Sequence, residues 1–247
     1  MKPYLMIALC CGLYAGLVAA VEPITVAWRD KAPYHYRENG IEQGFLLRRA
    51  KHIFALAEVP AVFVERPSKR IWRDFERGKS SYCSIGWYRL AERERIAQFS
   101  VPFHVDPPHM LLVSPGARAT VQAHKGVATL LQDGRISVGV VDGVSYGPAL
   151  DRLIAGSANQ VERVTVAPAS LMQMVAANRM DYMFADEADW EYLRRHEEGL
   201  DAIVEQRFAD MPAGLERYIV CSKDVPAQVM TRINRAIGAL SDAAPGD

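Results

Sequence analysis

Neither sign of charge is in surplus in this chain: 29 Lys and Arg stand against 29 Asp and Glu. Without a cationic excess there is little to neutralise a run of phosphates, which argues against nucleic acid as the main partner. Cysteine is scarce, with 4 in 247 residues, and neither a C-x-x-C nor an H-E-x-x-H spacing occurs. The 6 histidines are scattered, so no metal and no cofactor is expected. Tandem repeats and low-complexity tracts are absent. Beyond the N-terminus no apolar run approaches the ~20 residues that a membrane span needs. What remains is a balanced chain, 50% hydrophobic and 23% charged, with the composition of a folded globular protein of one large or two small domains.

Residues 1–20 read as a secretory signal. Lys2 supplies a positive start, residues 5–17 an apolar stretch, and Val18-Ala19-Ala20 a small-residue cleavage pattern. A lipoprotein needs a small residue just before Cys10 or Cys11, where Leu9 and Cys10 stand instead. The expectation is export to the periplasm with cleavage after Ala20. Cys10 and Cys11 leave with that segment, so Cys83 and Cys221 remain in an oxidising compartment, either as a single disulfide or as two buried thiols.

Along the rest of the chain, β-rich runs alternate with amphipathic helical patterns, the mark of α/β architecture. Residues 24–28, 62–64 and 82–86 read as strands. Between the first two, Leu46, Leu47, Ala50, Ile53, Phe54 and Ala57 recur at helical spacing, with Arg48, Arg49 and Lys51 on the other face. Pro67 and Ser68 open a second helix around Ile71, Trp72 and Phe75, and Gly78 suits its left-handed stop. Its basic face, Lys69, Arg70, Arg73 and Arg77, reads as solvated. After a proline-rich stretch at 102–108 and an extended segment at 110–113 the pattern restarts. A strand at 136–141 feeds a helix capped by Ser145, with Leu150, Leu153 and Ile154 inward. A helix after Ser170, a strand at 182–184, a helix at 188–195, a strand at 218–221 and a helix at 226–240 follow. Two successive α/β halves imply two lobes.

Three segments carry a family resemblance in order. Glu92-Arg93-Glu94-Arg95-Ile96-Ala97-Gln98-Phe99-Ser100-Val101-Pro102-Phe103 resembles the E-R-x-x-x-(apolar)-x-F-S-x-P-(aromatic) signature of family 3 extracellular solute-binding proteins. Val138-Gly139-Val140-Val141-Asp142-Gly143-Val144-Ser145 is similar to that family's V-G-V-x-x-G-(S/T), and Asn178-Arg179-Met180-Asp181-Tyr182-Met183-Phe184-Ala185-Asp186 to its G-R-(apolar)-D-A-x-x-x-D. The likeness spans nearly the whole chain after residue 20. It implies a type II periplasmic binding protein fold, two-lobed, each lobe a mixed sheet flanked by helices with the ligand cleft between them. Lobe 1 is expected over 21–112 and 209–247 and lobe 2 over 113–208, with crossovers near 110–115 and 208–217.

The resemblance also implies roles. The arginine matching Arg93 pairs with a ligand carboxylate, for which its planar fork is suited. Ser145 helps to hold the same carboxylate, and Asp186 takes the ligand's ammonium group. Aromatic residues at strand carboxyl ends, Trp28, Tyr34 and Trp87, together with Gly86, are expected to complete the pocket, with Tyr88 and Arg89 as weaker candidates. The returning tail pairs beside the third strand, which brings Cys221 to Cys83. Two departures stand out: Gly86-Trp87-Tyr88-Arg89-Leu90 replaces the small or hydroxyl residues that usually bind the amine, and Gly44-Phe45 is followed by Leu46-Leu47 rather than an acid. They leave the ligand open among an amino acid, a larger derivative and another carboxylate.

The expected function is periplasmic binding of a small solute by a monomer, without chemistry, for delivery to an ABC permease. A sensor or interaction module reporting to a membrane receptor is the alternative. Gly143-Val144-Ser145-Tyr146-Gly147 also spells G-x-S-x-G, and the order Ser145, Asp186, His196 follows that of serine esterases, but His196 lies in a charged helical stretch unsuited to reaching a serine.

Overall fold

The computed structural model describes residues 22–242; the expected export signal and its cleavage point lie outside them. The first lobe begins with β1 (Ile24–Trp28), a hairpin of β2 (Tyr36–Glu38) and β3 (Ile41–Gln43), α1 (Phe45–Leu56), β4 (Ala61–Glu65), α2 (Ser68–Glu76), β5 (Tyr82–Trp87), the short α3 (Ala91–Glu94), β6 (Ala97–Phe99) and β7 (His104–Val105). The second lobe holds β8 (Met110–Val113), α4 (Arg118–Gln122), α5 (Val127–Leu130), β9 (Ser137–Val141), α6 (Pro148–Ala155), β10 (Gln160–Val164), α7 (Pro168–Ala176), β11 (Tyr182–Ala185), α8 (Glu187–His196) and β12 (Val204–Gln206). The chain returns to the first lobe as β13 (Glu216–Ser222) and α9 (Ala227–Asp242).

Each lobe is organised by one sheet. In the first, the order is β4-β1-β5-β13-β6, with β7 also on β13; β1 runs parallel to β4 and β5, while β13 is antiparallel to β5 and β6. In the second, the order is β10-β9-β11-β8-β12, parallel at β10, β9 and β11 and antiparallel at β8 and β12. Central strands covered on both faces must be apolar on both. Thus Cys83 and Ile85 of β5 enter the core beneath α1 and α9, and Tyr82 and Trp87 the one beneath α2. The helix periodicity holds as well, since Leu46, Leu47, Ala50, Ile53 and Phe54 of α1 are all buried. No described helix is long and apolar enough to cross a membrane.

Several expectations change in detail. Met110–Val113 belongs to the second lobe, not to the end of the first. It pairs with β11 and β12, with Leu111 and Val113 in one core and Met110 and Leu112 in another. The crossovers are therefore residues 106–109 and 207–215. Ser145 does not cap α6, because that helix starts later, at Pro148 behind Gly147. Asp151 instead reaches back to the Ser145 hydroxyl and the Tyr146 amide. Leu153 is exposed rather than inward, and α7 starts at Pro168, so Ser170 lies inside its first turn.

The tail returns beside β5 as expected, and register does the rest: Cys221 stands opposite Cys83, and the two form a disulfide with Cα atoms 4.0 Å apart. The bridge closes a separation of 138 residues, a constraint on the unfolded chain worth up to about 5 kcal/mol on the chain-entropy model. The Cys83→Ala/Cys221→Ala variant is expected to lose about 2–5 kcal/mol in a denaturant melt. Oxidised protein unfolded without reductant should show no reactive thiol from this pair; two reactive thiols would refute the bridge.

Candidate functional site

The carboxyl ends of β1, β5, β9 and β11 converge on a cavity of about 410 Å³ between the lobes, the place where open α/β sheets bind ligands. Arg29 and Lys31 reach it from just beyond β1, Gly86, Trp87 and Tyr88 from the end of β5, Ser145 and Tyr146 from the loop after β9, and Asp186 and Asp189 from the start of α8. Gly86 has to be glycine. Its φ is +77°, and a Cβ there would lie 2.9 Å from the ring of His35, which packs beneath it fully buried.

The cationic wall is built on indoles. Arg93, on α3, lies 4.5 Å from the ring centroid of Trp72 and 5.3 Å from that of Trp87, and donates one Nη1 hydrogen bond of 2.8 Å to the Tyr88 carbonyl. Arg29 lies 4.2 Å from the Trp87 centroid, and its buried Nη1 has no hydrogen-bond partner. Among the described residues neither guanidinium has a carboxylate partner. Burial pushes Arg29 down to about 10, helped by Arg217 and Arg93, and burial lowers Arg93 too. Both remain charged at neutral pH and hold donor capacity that the chain itself does not use.

A second cluster joins the lobes. Lys31 Nζ lies 3.6 Å from Asp186 Oδ2 and 3.2 Å from Asp189 Oδ2. His109 Nε2 is 3.1 Å from Asp186 Oδ1, and Arg217 Nη2 is 3.7 Å from Asp186 Oδ2. Burial pushes Asp186 up, but His109, Lys31 and Arg217 together outweigh it and hold the carboxyl below its ordinary range. Asp189 goes the other way, raised by burial with the Asp186 charge beside it. Beneath the cluster, Arg217 is 1% exposed. Its Nε and Nη2 each lie 2.8 Å from an oxygen of Asp106, and it also donates to the Gly86 carbonyl and the Tyr88 hydroxyl.

Of the residues expected at the site, Arg93, Ser145, Asp186, Trp87 and Gly86 line this one cavity. Trp28 and Tyr34 do not: they are 0% and 1% exposed and belong to the first-lobe core. Trp28 ends its strand within the core beneath α1, and Tyr34 lies beneath Lys31 and Arg217 as an aromatic floor. Tyr88 lines the cavity, whereas Arg89 pairs outside it with Glu94. The Ser145 hydroxyl is bonded to Asp151, and the His196 ring is stacked on Tyr192, so the serine-esterase order does not assemble into a triad among the described residues. Sequence reading missed Arg29, Lys31, His109, Asp189 and Arg217. Arg29 and Lys31 follow a strand's carboxyl end and Asp189 lies three residues after Asp186, which are usable signals; His109 and Arg217 are brought in by the crossovers alone.

No protein-family model matches the chain, and no curated protein matches it. Solved structures do. The probable amino-acid ABC transporter extracellular-binding protein YtmK from Bacillus subtilis aligns with a TM-score of 0.73 at 13% identity, over 90% of this chain and 93% of that one. An ancestral arginine-binding protein bound to arginine aligns at 0.62 and 20% identity, over 89% and 92%. An ancestral amino acid-binding protein described as a precursor of cyclohexadienyl dehydratase aligns at 0.64 and 19%, over 89% of each chain. At these identities the likeness shows the fold: the chain has the two-lobed periplasmic binding-protein architecture.

Two outcomes follow from the buried charges. Asp106→Asn removes the nearer of the two carboxylates beside the buried Arg217 guanidinium and should cost about 3–5 kcal/mol in a urea melt; a loss under ~1 kcal/mol would mean that Asp186 or water compensates Arg217. His35 is held neutral by burial and by the Arg29 charge, its pKa lowered to about 3. Its unfolded value is near 6.5, so stability is full above that pH and is lost as pH falls toward 3. The decline in melting temperature over that window should flatten in His35→Gln, and an unchanged slope would assign the acid sensitivity elsewhere.

Proposed function

We propose that this protein is an exported receptor that closes its lobes on a small solute, an amino acid or related carboxylate, and delivers it unchanged to an ABC permease. The observation that carries this reading is the Arg93 guanidinium: it lines the interlobe cavity, spends one donor on the Tyr88 carbonyl and has no carboxylate partner among the described residues. A planar fork with donors to spare, set on aromatic rings in a concave site, is suited to a bidentate carboxylate. The indoles of Trp72 and Trp87 hold the fork in place, which lowers the entropy lost on binding.

Three further facts support the reading. The motif order along the chain matches that of solute-binding proteins, the fold is theirs, and several neighbours are described as amino-acid-binding proteins of ABC transporters. Ser145 lines the cavity with its hydroxyl bonded to Asp151, and the His196 that the esterase order would need is stacked on Tyr192 instead. We read the protein as non-enzymatic for that reason. A micromolar dissociation constant corresponds to about −8 kcal/mol, and one charge-assisted hydrogen bond supplies about 1.5–3 kcal/mol of it.

The test is a thermal-shift screen of ligand-stripped protein against amino acids, polyamines, short peptides and small organic acids. A true ligand at a hundred times its dissociation constant adds about 2.7 kcal/mol and should raise the melting temperature by a few degrees. Arg93→Ala should abolish that shift while leaving the unliganded melting temperature within a few degrees of the parent's; undiminished affinity in this variant would sink the assigned site.

A further inference from the structure

The ammonium group of Lys31 is held by Asp186 at 3.6 Å and Asp189 at 3.2 Å, with its Nζ 4.5 Å from the centroid of the Tyr34 ring. Two carboxylates and an aromatic face are what a cleft would offer to the ammonium group of a bound α-amino acid. Here the chain fills that position with its own side chain. Lys31 comes from the first lobe and both acids from the second, so the pair also ties the lobes together across the cleft, as a ligand's amine would.

Both acids already face groups of the chain itself, through Oδ2 in each case. Asp186 Oδ2 faces Lys31 and Arg217, and Oδ1 faces His109. Oδ1 of both Asp186 and Asp189 lacks a hydrogen-bond partner and is buried, while Lys31 occupies Oδ2 of each. Charge counting points the same way. Arg29, Lys31, Arg93 and Arg217 line the cavity against Asp186 and Asp189, with Asp106 behind Arg217, which leaves at least one positive charge uncompensated. An amine-free carboxylate supplies the missing negative charge. A zwitterion supplies none in net and places a further ammonium in an already positive site.

On the receptor reading above, we propose that Lys31 is a tethered stand-in for the ligand ammonium and that the cleft selects carboxylic acids lacking an α-amine, with Arg93 receiving the carboxylate. Arg29, stacked on the Trp87 ring at the same cavity, adds to the attraction. Leu90, Met172, Met183 and Phe184 on the cavity wall favour a ligand with a hydrocarbon body.

Calorimetry on matched pairs that differ only by the amine tests this: glutarate against glutamate, succinate against aspartate, and 3-phenylpropionate against phenylalanine. The expected result is that, in at least one pair, the amine-free acid binds at least tenfold more tightly, and that Lys31→Met reduces this preference at least tenfold by freeing Asp186 and Asp189 for the amino acid. Lys31→Arg, which keeps the charge if the Met variant fails to fold, should retain the preference. An amino acid that binds more tightly than its amine-free partner in the parent protein overturns the inference and leaves the receptor reading standing, as does an unchanged preference in folded Lys31→Met. Absence of binding by every member of both series at millimolar concentration overturns the receptor reading and the inference with it.

Discussion

The Arg217 guanidinium is the group about which the two lobes are arranged. It is carried back into the first lobe by β13, almost wholly out of water, and it bonds Asp106 in the outgoing crossover, the Gly86 carbonyl at the end of β5 and the Tyr88 hydroxyl. A charge so placed is tolerable only if its donors are satisfied, because desolvation of an ion costs several kcal/mol and is offset only by well-placed partners. That requirement fixes where the crossovers meet, how β13 sits on β5, and hence that Cys221 faces Cys83. It also sets the floor of the cleft, since Arg217 lies over the Tyr34 ring and within 3.7 Å of Asp186.

Above that floor the cleft is divided by charge. One side carries guanidinium groups on indole faces without acid partners; the other carries two carboxylates whose partners, Lys31 and His109, come from the chain. The guanidinium groups keep donors that the chain does not use, whereas both carboxylates already face groups of the chain.

Much of the architecture was legible in the sequence because the central strands and helices are buried on predictable faces. The continuous apolar runs of β1, β5 and β8 and the helical spacing in α1 follow from coverage on both sides of a sheet or on one side of a helix. The elements that escaped notice are peripheral. The edge strand β10, Gln160–Val164, is largely exposed and carries Glu162 and Arg163, so it shows no apolar pattern; β12 and the short helices α4 and α5 lack the length for one. Ending the first lobe at residue 112, within β8, failed for another reason: a buried strand announces its burial, not which sheet it joins.

The sequence by itself pointed to the two-lobed α/β class, left Cys83 and Cys221 open between a disulfide and two thiols, and named six of the cavity's residues, because ordered motifs and hydrophobic periodicity are local and survive without coordinates. Only the tertiary structure decided the electrostatics of the cleft. Trp28 and Tyr34 sit at the right strand end yet face the core, a matter of side-chain direction that strand position does not specify. Lys31, His109 and Arg217 lie far apart along the chain and meet at Asp186 only when both crossovers have formed. The consequence for ligand charge is a property of that meeting: Coulomb interaction depends on distance in space and on the exclusion of water, and neither is written in the order of residues.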